Sequence, residues 1–82
     1  MYVNLGHDTA VTGSDILGFF DLDNITRSAR GRRFLSAAEK RKSVRLLGAD
    51  IPKSAVLCEK NGRLTVYLTQ LSAATLRTRC EG

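Results

Sequence analysis

The sequence predicts an α+β domain, built as a small, mostly antiparallel sheet of short strands with one basic central helix and a short C-terminal helix. Three observations carry that prediction. Short apolar runs recur toward both ends of the chain, an Asn-Gly pair separates two of them, and a 3.6-residue apolar pattern occupies the middle. With 82 residues, 43% hydrophobic and 26% charged, and a single Pro, the chain reads as one folded domain over 1–82. A chain this short hides only roughly 60% of its unfolded surface, so self-association is expected to help stabilise it.

The elements follow in order. "YVNL" (2–5) is a strand with Tyr2 and Asn4 on one face and Val3 and Leu5 on the other, ended by Gly6; a second strand near Ala10 to Thr12 closes a hairpin over "HDT". "DILGFFDL" (15–22) is too continuously apolar for a half-wet strand and reads as a central strand covered on both faces, with Gly18 marking a bulge or a close backbone approach. Asp21 and Asp23 then cap or orient the chain as it enters a helix over roughly 29–42. Phe34, Leu35 and Ala38, with Gly31 among them, form its narrow apolar seam, and Arg32, Arg33, Ser36 and Lys40 project from the other side. Arg27 and Arg30 fall at or before the first turn, where the helix dipole disfavours cations, whereas Lys40, Arg41 and Lys42 suit the last turn.

"SVRLL" (43–47) is a strand, "GADIPK" (48–53) a turn, and "SAVLCE" (54–59) a strand whose Ala55, Val56, Leu57 and Cys58 form a buried run. Asn61-Gly62 suits the two positive φ values of a type I′ turn, joining that strand to "LTVYLTQL" (64–71). There Leu64, Val66 and Leu68 share one face and Thr65, Tyr67 and Thr69 the other. "SAATLRTRCEG" (72–82) is a short helix with Ser72 as its N-cap and Leu76 and Cys80 at i, i+4.

Charge is segregated along the chain. Residues 1–24 carry −4, residues 25–45 carry +7 and the remainder +2, for a net charge of +5. An acidic first third beside a basic middle points to opposite faces, to a complementary contact between subunits, or to a basic ligand site. No apolar run is long enough to span a bilayer and the N-terminus lacks the pattern of a secretory signal, so a cytosolic protein without membrane contact is expected. Cys58 and Cys80 have no companion at disulfide-framework or zinc spacing and are expected to be reduced and structural.

Catalytic chemistry finds little to stand on. The lone histidine, His7, sits in a loop beside Asp8, no nucleophile motif accompanies it, and the carboxylates Asp8, Asp15, Asp21 and Asp23 do not follow an EF-hand spacing. The glycines of "GHDTAVTG" (6–13) lack both the Walker lysine and dinucleotide spacing. No enzymatic activity, cofactor or metal is expected. The distinctive segment is "RSARGRRFLSAAEKRKSVR" (27–45), which holds Arg27, Arg30, Arg32, Arg33, Lys40, Arg41, Lys42 and Arg45. Several of these on one surface suit phosphate contacts with counterion release, and its Arg-rich first half suits bidentate contacts. The alternative is a solvated helix face that meets the aspartates of a neighbouring subunit or of an acidic protein partner.

Three stretches carry a family resemblance. "GFFDLD" (18–23), "IPKSAV" (51–56) and "YLTQLSAATLRTR" (67–79), in a chain of about this length opening "MYVNLG", resemble the extracellular matrix regulatory protein B (RemB) family, over nearly the whole chain. The resemblance implies a small bacterial domain with a role in biofilm matrix regulation. The related RemA family is implied to be a DNA-binding transcription regulator that assembles into rings and contacts DNA through arginines on the rim. Near the places of those arginines this chain has Asp15 and Ile51-Pro52, which directs the expectation of a DNA surface to the basic helix. Together these imply an oligomeric, non-enzymatic regulator, ring-forming by the resemblance, that binds duplex DNA, or a self-assembling scaffold that does not.

Overall fold

Alternation of side chains builds both sheets. In the computed structural model, which describes residues 1–81, β1 (Tyr2–Gly6) and β2 (Thr9–Thr12) pair antiparallel as a two-stranded hairpin. Val3 and Leu5 are buried and Tyr2 and Asn4 exposed, as period 2 requires. The connecting His7 and Asp8 both take positive φ, 49° and 58°, the conformation of a tight hairpin turn.

A short 3-10 turn, Gly13–Asp15, leads into β3 (Ile16–Asp21), and two helical segments follow, α1 (Leu22–Arg27) and α2 (Ala29–Lys40). The helix expected over roughly 29–42 is α2, and α1 is an additional helix before it, separated from it at Ser28. The cause is a cap: Ser28 is extended (φ −99°, ψ 149°) and its hydroxyl accepts the Gly31 N–H at 2.9 Å, starting a new helix. Asp21 caps α1 in the same way, accepting the Asp23 N–H at 2.8 Å. Arg27 precedes α2 as expected, but the dipole reading is corrected: it lies in the last turn of α1, where the dipole favours a cation.

The four remaining elements are β4 (Val44–Leu46), β5 (Ser54–Lys60), β6 (Arg63–Thr69) and α3 (Ala73–Glu81). β3, β5, β6 and β4 form a four-stranded sheet in that spatial order, antiparallel except for the parallel β4–β6 pair. Asn61 and Gly62 take φ of 53° and 79° and close the β5–β6 hairpin as a type I′ turn should. Ser72 caps α3 by accepting the Thr75 N–H at 3.1 Å; of the helix expected over 72–82, Gly82 lies outside the described residues.

Both faces of the four-stranded sheet are covered. On one, Ala55, Val66, Leu57 and Leu68 meet Phe34, Leu35 and Ala38 of α2 together with Leu22 and Ile25 of α1, so the expected apolar seam of the helix is the one that packs. On the other, Val56, Cys58 and Tyr67 meet Val3, Leu5 and Val11 of the β1–β2 hairpin and Leu76 of α3. A buried hydrogen bond ties these layers, the Thr69 hydroxyl donating to the Leu5 carbonyl at 2.6 Å.

β3 departs from expectation. Its apolar run predicts a central strand, yet it is an edge strand paired only with β5, and Leu17 is 60% and Phe20 42% exposed. The register does shift between Ile16 and Gly18, as the glycine predicts. β5 and β6 take the central places because the Asn-Gly hairpin and the β4–β6 pairing fix them side by side.

Candidate functional site

Helical geometry sorts the basic residues of α2 onto two flanks. At about 100° per residue, Arg30, Arg33, Lys40 and Arg41 fall within an arc of about 100° beside the Phe34 edge of the apolar seam, while Arg32 falls on the far flank near Glu39. Arg32 has a structural partner: its Nη1 donates to the Thr26 carbonyl at 2.8 Å, capping the C-terminus of α1. All eight basic residues of segment 27–45 are exposed. Among the described residues no lysine or arginine stands within 4.0 Å of a carboxylate in an ion pair.

The chain leaving α2 makes the main concentration of charge. The Ser43 N–H donates to the Ala38 carbonyl at 2.9 Å and the Lys42 N–H to the Glu39 carbonyl at 3.0 Å, with Lys42 left-handed at φ 57°. This is the Schellman arrangement with lysine where glycine is usual. The turn delivers the chain directly into β4, which runs parallel to β6 with Val44 opposite Val66 and Arg45 opposite Tyr67. The Val66 N–H donates to the Ser43 carbonyl at 2.8 Å, locking the start of β4 to β6.

That pairing brings the α2 terminus against the start of β6, where Arg63 follows the Asn-Gly turn. The result is an open groove of about 500 Å³ whose rim carries Arg41, Lys42, Arg45 and Arg63 and whose floor includes Phe34 and Leu64. Among the described residues, no carboxylate lines it. Arg45 and Arg63 also border a second hollow of about 590 Å³ on the hairpin side, where Lys60 joins them and Asp15 is the one acid among the described residues. Four cations around an acid-free groove hold one another at unfavourable potential, which an anion relieves.

The structure therefore gathers three of the sequence-predicted residues, Arg41, Lys42 and Arg45, and adds Arg63 and Lys60, which segment 27–45 does not contain. Arg27, Arg30, Arg32, Arg33 and Lys40 do not line the groove. Arg30 instead borders a separate hollow of about 290 Å³ made by Phe20, Ile25, Gly31, Phe34 and Leu57. The signal for Lys60 and Arg63 is in the sequence, since they bracket Asn61-Gly62 and any type I′ hairpin there presents them at its tip.

No family model matches the chain, and no curated protein matches it either. What the groove can do follows from its residues. Arginine offers planar paired donors to phosphate or carboxylate oxygens, and lysine a point charge on a flexible stem. His7 has a packing contact: its imidazole lies against Gly48, where a Cβ would collide with it and φ is +85°. Among the described residues, no helix is long and apolar enough to cross a membrane.

Proposed function

We propose that this chain is a non-enzymatic regulatory protein that self-associates and binds duplex DNA through its phosphates, with the groove of Arg41, Lys42, Arg45 and Arg63 as the principal contact and Arg33 and Lys40 extending it along α2. The acid-free lining of that groove carries the reading. The resemblance to the RemB family and, through it, to ring-forming DNA-binding regulators supports it and suggests a role in matrix gene control. Repetition of one modest basic patch around an assembly turns weak contacts into an avid surface.

Phosphate contact has a quantitative signature. Each neutralised phosphate contributes about −0.9 to the slope of log K against log salt. Four cations per subunit therefore correspond to a slope of roughly −3 to −4 for each subunit in contact. The test is a salt titration of binding to a generic duplex of a few tens of base pairs, with wild type beside an Arg41→Glu/Lys42→Glu/Arg45→Glu variant. Loss of binding and a flatter slope for a folded variant is the expected result. Equal affinity at low salt for both proteins would overturn the reading.

A second reading is a self-assembling interaction scaffold without DNA binding. The apolar side chains left exposed on both edges of the four-stranded sheet favour it. It predicts that the same charge reversals change particle size, or binding of an acidic protein, and leave no duplex binding to lose.

A further inference from the structure

The four-stranded sheet is open at both ends, and its two edges differ in character. The β3 edge carries Leu17 and Phe20, exposed, between Asp15 at its start and Asp21 and Asp23 at its end. No charged side chain interrupts the strand between Asp15 and Asp21. An edge strand ordinarily carries charge, a proline or a bulge that blocks pairing with another chain; β3 has no charge or proline within it, and its register shift between Ile16 and Gly18 leaves Phe19 to Asp21 in regular register. The β4 edge exposes Leu46 at 56% and stands among Arg41, Lys42 and Arg45. One edge is thus apolar and acidic and the other apolar and basic.

From this complementarity we infer that the β3 edge of one copy docks the β4 edge of a second copy, head to tail. The inference rests on the proposed self-association and names its surfaces. Like edges repel: β3 against β3 would confront three aspartates with three aspartates, and β4 against β4 would do the same with cations. Strand direction agrees. β3 and β6 each run antiparallel to β5, and β4 runs parallel to β6, so β3 and β4 point the same way. A neighbour related by rotation about an axis along the strands brings its β4 beside β3 as a parallel pair and continues the sheet from copy to copy.

Side-chain placement agrees as well. Phe20 lies opposite Ala55 and Leu46 opposite Leu68, and both partners belong to the sheet face covered by α1 and α2. A continued sheet therefore sets the neighbour's Leu46 side chain on the side where Phe20, Ile25, Phe34 and Leu57 line their hollow of about 290 Å³. That hollow is apolar apart from the Arg30 flank, and a leucine side chain suits it. Repeated contacts of this type are heterologous, closing into a ring or extending as a filament according to the rotation per copy.

Two variants, each blocking one edge, test the geometry. Leu17→Lys blocks β3 and leaves β4 intact, and Leu46→Glu blocks β4 and leaves β3 intact. Both positions are exposed in the monomer, so folding is retained, and circular dichroism checks it; Phe20→Ser replaces Leu17→Lys should that chain unfold. Size is read by light scattering at tens of micromolar. The expected result is a wild type well above its 9.0 kDa monomer, each variant alone monomeric, and an equimolar mixture of the two at twice the monomer mass through its one intact edge pair. Variants that remain monomeric on mixing, or a Leu46→Glu chain that still dimerises alone, would overturn the head-to-tail edge contact while leaving self-association standing. A monomeric wild type would overturn both, and duplex binding measured on the same samples would still report on the groove independently.

Discussion

Lys42 is the residue at which stability and charge pull apart. A non-glycine residue at φ 57° bears a penalty of roughly 1 kcal/mol relative to glycine, which has no Cβ to crowd the carbonyl. Lys42→Gly is therefore expected to raise the unfolding midpoint by about 4–8 °C, the usual return on about 1 kcal/mol in a domain this small, while weakening duplex binding and removing about one phosphate from the salt slope. Thermal melts and a salt titration on the same preparation check both halves. A variant that is more stable and binds as well as wild type would remove Lys42 from the groove's working set. Cys58 makes a different single-residue case. Burial in β5, with Asp15 adding to it, pushes its thiol from an ordinary 9.0 to about 11. The folded state then holds a proton that the unfolded state has already released, so this contribution to stability is complete below about pH 9 and fades as pH rises toward about 11. The difference in melting temperature between wild type and Cys58→Ala is expected to narrow between pH 8 and pH 11. A difference constant across that range would mean the thiol is more solvated than its position in β5 indicates.

At the scale of elements, the junction of α1 and α2 is the least tolerant point. A Cβ on Gly31 would run into the Ile25 carbonyl, which is backbone and cannot swing aside. Gly31→Ala, normally a favourable change within a helix, is instead expected to destabilise by about 2 kcal/mol or more through overpacking, measured as a fall in the denaturant midpoint; a neutral or positive effect would mean that the two helices can part without cost. This junction also leaves the weakest mark in the sequence. The apolar seam of Phe34, Leu35 and Ala38 was legible from periodicity, and so were the alternation in β1 and β6 and the Asn61-Gly62 turn, because each is a local pattern. The short helix α1 and the cap at Ser28 were not, since a serine inside a polar, arginine-rich run gives no contrast between cap and helix surface, and its role rests on the hydrogen bond it accepts from the Gly31 N–H. The edge position of β3 was hidden for another reason. An unbroken apolar strand means cover on both faces in an isolated domain, and here part of that apolar surface is left exposed. Likewise, the charge run made Arg41, Lys42 and Arg45 legible as candidates, whereas Arg63 joins them only through the parallel β4–β6 pairing, a long-range contact that no local pattern encodes.

For the whole molecule, the segregation noted along the sequence becomes a spatial one: aspartates gather around the start and end of β3, and cations gather from α2 across β4 to the tip of the β5–β6 hairpin. Such an arrangement costs stability in the free protein, because the cations around the groove repel and are not paired with carboxylates among the described residues. The same repulsion makes stability a readout of anion binding that needs no knowledge of the natural target. A ligand that binds only the folded state adds RT ln(1 + [L]/Kd), about 2.7 kcal/mol at a hundredfold excess over Kd. Heparin, a flexible polyanion with no base to recognise, is expected to raise the melting temperature of the wild type by several degrees at low ionic strength and to lose that effect as salt is added. An Arg41→Ser/Lys42→Ser/Arg45→Ser/Arg63→Ser variant is expected to melt at or above the free wild type, relieved of its internal repulsion, and to show little shift with heparin. An Arg27→Ser/Arg30→Ser variant removes charge from the same segment outside the proposed contact surface and is expected to keep most of the shift. If the two variants lose it equally, the molecule presents a diffuse basic face, and affinity follows its total charge instead of the geometry that brings Arg63 to the end of α2.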